Sequence, residues 1–174
     1  MTNDKINYNE VVNHFIEDFK LISCEKYGNG HINSTFIVCG KVEAEESTYI
    51  LQKINKNVFK NPQLVMDNIE KVTCFMKEKV DNPREVLHFL KCDNGTLCYK
   101  DQNDEYWRMY KFVDNCEGVD RPNIEEFFES GIAFGKFQNL LSDFPAETLN
   151  ETIPDFHNTT KRYETFLNSV EDNA

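Results

Sequence analysis

Residues 21–40 read LISCEKYGNGHINSTFIVCG, and this stretch decides the fold. Apolar and β-branched residues flank a polar centre that holds Gly28, Asn29 and Gly30, so the segment reads as strand, glycine turn, strand. Glycine tolerates positive φ and lets backbone N–H groups come close to a ligand. Several amides aimed one way form a nest for phosphate oxygens. The turn is not a Walker A loop, because no Gly-Lys-Ser/Thr follows. It is not the dinucleotide fingerprint either, because a strand rather than a helix comes next. An ordinary hairpin with two glycines has the same letters, so the neighbouring segments must decide.

Before the turn, residues 8–19 (YNEVVNHFIEDF) place Val11, Val12, Phe15, Ile16 and Phe19 at helical spacing. After it, residues 49–54 (YILQKI) form a third strand. Asn61 and Pro62 open a long helix to about Val80, with Leu64, Val65, Ile69, Val72, Phe75 and Met76 as its apolar stripe. Residues 84–92 (REVLHFLKC), the turn Asp93-Asn94-Gly95 and residues 96–100 (TLCYK) read as a hairpin. In residues 105–113 (EYWRMYKFV), Tyr106, Arg108, Tyr110 and Phe112 alternate against Trp107, Met109, Lys111 and Val113. Trp107 and Tyr106 read as core and rim.

A polar connector over 114–123 changes the pattern. Residues 124–144 then read as a helix rich in phenylalanine, and residues 161–170 as another after a proline-bearing loop. The expected organisation is a five-stranded, helix-supported unit over 1–113, a hinge or linker over 114–123 and the start of a helical lobe over 124–174. Phe127, Phe128, Phe134 and Phe137 either pack internally or form a homodimer surface.

The composition narrows the partners. The chain has 174 residues, 40% of them hydrophobic, which suits one packed domain or one plus a fragment. A formal net charge of −11 opposes nucleic acid as a partner and requires any polyanionic ligand to be held by local cations and amides. The six cysteines include no CxxC pair, so zinc and a disulfide framework are not expected. The opening residues hold no apolar leader, and no run reaches the roughly 20 apolar residues of a membrane span. The expectation is a cytoplasmic protein with free thiols.

A glycine-rich hairpin, a lysine-bearing strand, a long helix and further antiparallel strands follow the order of a kinase small lobe. The fold class expected is therefore α+β, a five-stranded antiparallel sheet with a long helix. The chemistry needs a cation on the third strand for the phosphates and a helix carboxylate to hold that cation. At about 4 Å and an effective dielectric near 20, a lysine–phosphate pair is worth about 4 kcal/mol before desolvation. Lys53 is the candidate cation and Glu70 its candidate carboxylate. Strand side chains alternate, so a register shifted by one turns Gln52 toward the ligand instead.

Residues 27–38 (YGNGHINSTFIV), 49–73 (YILQKINKNVFKNPQLVMDNIEKVT), 106–113 (YWRMYKFV), 132–144 (IAFGKFQNLLSDF) and 153–163 (IPDFHNTTKRY) resemble the N-acetylhexosamine 1-kinases. These belong to the aminoglycoside/choline phosphotransferase group of kinase-like folds. The resemblance runs from about residue 10 to residue 168. It implies transfer of a phosphoryl group from ATP, with Mg2+, to the anomeric hydroxyl of an N-acetylated hexose. Choline, an amino alcohol or an aminoglycoside are the alternative acceptors within the group. It also implies that Gly28, Asn29, Gly30, His31 and Asn33 cover the phosphates, and that the backbone of Tyr110 and Phe112 pairs with adenine. Such kinases need a catalytic-loop aspartate with an asparagine a few residues on, and a later aspartate for the metal. None of His14, His31, His88 and His157 is followed by Asp two residues later. The expectation is a truncated product that binds nucleotide weakly at best and transfers no phosphoryl group by itself.

Overall fold

The computed structural model describes residues 6–116, 118–119 and 121–172. The opening residues 1–5, positions 117 and 120 of the expected hinge, and residues 173–174 lie outside the described residues. Helix α1, Tyr8–Asn13, starts where the Asn7 side chain accepts from the Glu10 N–H. It sends Val11 and Val12 inward, and Phe15 and Phe19 follow in the turns behind it.

Three strands form the long part of the sheet: β1, Lys20–Lys26; β2, Ser34–Val42; and β3, Glu45–Ile54. β2 and β3 stay in register from Ser34↔Lys53 to Val42↔Glu45. β1 slips between Leu21 and Ser23, a bulge that leaves Ile22 exposed. β3 starts four residues before the apolar pattern predicts, because pairing with β2 carries its polar first half. Helix α2, Pro62–Lys77, begins with Asn61 as cap and Pro62 in the first turn, as expected. It ends three residues before Val80.

The predicted hairpin over 84–100 is corrected. Asp93-Asn94-Gly95 does make a tight turn, with Gly95 at φ 82° and the Cys92 N–H donating to Thr96 O at 2.8 Å. Its two arms, however, bond to another strand, β5, Tyr106–Lys111. The Lys111 N–H donates to His88 O and the Leu90 N–H to Met109 O. Farther along β5, the two-residue strand β4, Tyr99–Lys100, takes over. One edge of β5 thus serves both arms, and the five-stranded antiparallel sheet has the order β1-β2-β3-β5-β4.

The sheet has two covered faces. One carries Phe36, Val38, Leu51, Trp107 and Met109 against Val11, Val12, Phe15 and Phe19. Trp107 is fully buried and its indole N–H donates to Asp101 Oδ2 at 2.8 Å, so it is core. The other face carries Ile54 with Met66 of α2, Leu97 and Cys98, and half-buried Ile69, Phe89 and Tyr106.

Helices α3, Ile124–Leu140, and α4, Thr159–Glu171, follow. A capping box of Asn123 and Glu126 starts α3. The stretch between them is fastened to α2. Asn68 Nδ2 donates to Asn150 O and the Asn150 N–H to Asn68 Oδ1, both at 2.8 Å, and Phe75 meets Phe144 edge-on. Phe127, Phe128, Phe134 and Phe137 are all exposed, so of the two expectations for them internal packing is not what the structure has. No helix among the described residues is long and apolar enough to cross a membrane.

Candidate functional site

The turn between β1 and β2 is open. Gly28 sits at φ 72°, the left-handed region that favours glycine, and a side-chain carbon added at Gly28 or Gly30 would meet nothing within 4 Å. Asn29 and His31 are exposed. The Tyr27 N–H donates to Thr35 O at 3.0 Å and closes the base of the turn. Asn33 has a positioning part: its Oδ1 accepts from the Asn55 N–H at 3.0 Å, which ties the turn to the far end of β3.

The register settles which of the two candidate residues on β3 looks where. Gln52 shares its side with Ile50 and Ile54, and Ile54 packs on Met66 of α2. Lys53 shares the opposite side with Leu51 and lies across from Trp107. There it pairs with Glu105 at 3.8 Å, and Lys56 pairs with the same carboxylate at 3.4 Å. Gln52 is therefore on the α2 side of the sheet and Lys53 on the other. Glu70 does not reach Lys53. It pairs with Lys91 at 2.7 Å, and this hydrogen bond holds the Lys91 ammonium pKa above its ordinary value.

Gln52 is fully engaged in its own way. Its Nε2 donates to Thr35 Oγ1 at 2.9 Å, and its Oε1 accepts from Arg108 Nε at 2.9 Å. Thr35, Gln52 and Arg108 are direct cross-strand neighbours on β2, β3 and β5. They form a polar row across the face that α2 covers. Arg108 Nη1 also meets Met66 Sδ at 3.8 Å, and its guanidinium lies 5.7 Å from the centre of the Phe89 ring. Burial pushes the Arg108 pKa down. Sequence reasoning placed Arg108 on this alternation but gave it no role. The signal was there: an arginine between two tyrosines on an otherwise apolar strand face.

The expected backbone pairing with adenine is corrected at Phe112, whose N–H already donates to Thr48 O at 3.1 Å. Tyr110 lies inside the ladder opposite Ile50, with Phe89 bridged to its other edge, so its backbone is committed too. What these two residues do offer is ring surface. The Phe112 ring meets Tyr27 edge-on at 5.9 Å, Tyr110 tilts against Phe89 at 5.1 Å, and burial raises the Tyr110 hydroxyl pKa. Beside Thr48 and Phe112 opens a groove of about 990 Å3, lined also by Ser47, Lys77, Val86 and His88. Burial, then Lys77 and Lys111, push the His88 pKa down.

Among the described residues, no group of three or more His, Cys, Asp or Glu comes together to hold a metal ion. Mg2+ is therefore not assigned to any of them. No model of a known protein family matches the chain.

Proposed function

We propose that this chain is the nucleotide-binding portion of an ATP-dependent phosphotransferase for small molecules, with an N-acetylated hexose as acceptor on the resemblance given above. One observation carries the reading: an open glycine turn stands at one end of a sheet face whose other end opens on a groove. Base and phosphates would then spread along β3. From Thr48 to Gln52 is four residues, about 13 Å of strand. The base stacks against the Phe112 ring at the groove end, and the phosphates lie under residues 28–33. The phosphate end needs cations because the chain as a whole is strongly negative. In this reading residues 6–113 are the small lobe of a kinase-like fold, and α3 and α4 begin the second. The catalytic aspartate and the metal ligands belong to that second lobe.

The test is amide mapping by 15N NMR during titration with Mg·ATP. Saturable shifts at Gly28, Gly30, Gln52 and Thr48 are expected. If saturating ATP leaves those amides where they were, the nucleotide reading fails.

A further inference from the structure

Arg108 has more donors than the protein uses. A guanidinium has five N–H groups in a rigid fork. Here Nε serves Gln52 and one Nη1 proton serves a thioether, which is a weak acceptor. None of the ion pairs among the described residues includes Arg108. Arg84 makes the contrast: it is exposed, ion-paired with Asp114, and held above its ordinary pKa by that bond. The more enclosed cation is the one without a carboxylate. Its unused donors are not sealed in, for no side-chain nitrogen or oxygen among the described residues is both fully buried and unpartnered. The Nη2 group is therefore not fully sealed from solvent, although the residue as a whole is largely enclosed.

The surroundings fix that fork in place. Gln52 holds Nε by its carbonyl and is itself oriented by donating to Thr35. Thr35 Oγ1 accepts there, so its hydroxyl proton is free to be given elsewhere. From β2 to β5 is two strand spacings, about 10 Å. A chain of phosphates fits that span, with one end at the foot of the glycine turn and the other at the guanidinium.

We propose that Arg108, oriented by Gln52 and helped by the Thr35 hydroxyl, is an oxyanion-binding residue that takes phosphate oxygens of the nucleotide. It would then supply from β5 the charge for which β3 offers only an amide. A guanidinium suits the task because its fork grips two oxygens at once. The inference rests on the nucleotide reading for what the phosphates are attached to, and not for the anion site itself.

The experiment titrates the wild type, Arg108→Met and Arg108→Lys with three probes: ATP, inorganic tripolyphosphate and adenosine. Calorimetry gives affinities, and a thermal melt checks each fold. Wild type should bind both ATP and tripolyphosphate, and ATP the more tightly. Arg108→Met should lose about 10- to 100-fold for both, the range of a charged hydrogen-bond pair, with adenosine unchanged. Arg108→Lys keeps the charge without the fork and should lose several-fold, and it decides the matter if the methionine variant does not fold. Unchanged ATP and tripolyphosphate affinity in both variants would overturn the role of Arg108 and leave nucleotide binding standing. Tripolyphosphate binding that needs Arg108, without any binding of ATP in preference to tripolyphosphate or of adenosine, would keep the anion site and reject the nucleotide. A wild type that binds none of the three rejects both.

Discussion

Gly40 and Gly28 are both glycines of the β1–β2 hairpin, and they are glycine for opposite reasons. Gly40 lies on the covered face, where an added carbon would overlap the Phe19 ring and come within 2.6 Å of Lys20 O. Backbone cannot step aside as a side-chain tip can, so Gly40→Ala should cost about 1–3 kcal/mol or more by overpacking. Gly28 has open space, and only its φ of 72° resists a side chain. Gly28→Ala should cost about 1 kcal/mol, and Gly30→Ala should fall within about 0.5 kcal/mol of wild type. Urea denaturation of the three variants checks the order. An unaffected Gly40→Ala would mean that Phe19 does not lie where the structure has it. The residue scale also marks the limit of sequence reading. Alternation alone makes Gln52 and Lys53 opposite, but only the partners of Ile54 and Leu51 tell which side is α2's. The pairing of Glu70 with Lys91 joins residues 21 apart, and no spacing rule announces it.

At the scale of elements, starts were more legible than ends or partners. Asn61 and Pro62 announce α2 because a cap and a ring-locked first turn are local effects. The end at Lys77 is not local, since Val80 continues the apolar pattern yet the chain has left the helix. The segment 84–92 alternates like a strand, but alternation does not name the neighbour, and β5 competes successfully with residues 96–100. The clasp of residue 150 on α2 was equally unreadable, because it is one asparagine pair 82 residues apart. That clasp gives an element-scale test. Asn68→Ala removes the acceptor of the Asn150 N–H and the donor to its carbonyl, at a cost of about 1–2 kcal/mol. Hydrogen exchange at the Asn150 amide should quicken while exchange within β2 and β3 stays slow. Equal protection in variant and wild type would show that the contact bears nothing.

Across the whole molecule, ionisation limits the range of stability from both sides. Burial pushes the Cys98 thiol up to about 12 from 9.0 and the Cys24 thiol up to about 11, and it raises Tyr8, Tyr99 and Tyr110 as well. Groups held neutral by the fold contribute stability below their unfolded pKa, and that contribution is lost as pH rises beyond it. Stability should therefore decline above about pH 9. His88 has the opposite sign. Its folded pKa lies below 6.5, so the unfolded chain takes up the proton first and stability declines on acidification through that value. The exposed Asp104, Asp114, Asp143 and Asp155, each lowered by a hydrogen-bonded cation, add a further loss below their ordinary 3.8. Urea midpoints should be flat between about pH 6.5 and 9 and fall on both sides. Cys98→Ala should soften the alkaline fall, and a midpoint that still rises from pH 9 to 10 contradicts the assignment.

The slip between Leu21 and Ser23 has a consequence for how copies of this protein meet. β1 is the long outer strand, whose unpaired amides and carbonyls invite a foreign strand to add on. A visiting strand needs an unbroken run of evenly placed partners, and the kink at Ile22 interrupts that run two residues from its start. Lys20 at one end and Lys26 at the other crowd an incoming chain with charge. The sheet is thus closed to growth on that flank by backbone shape, and fibril formation would first have to iron the kink out.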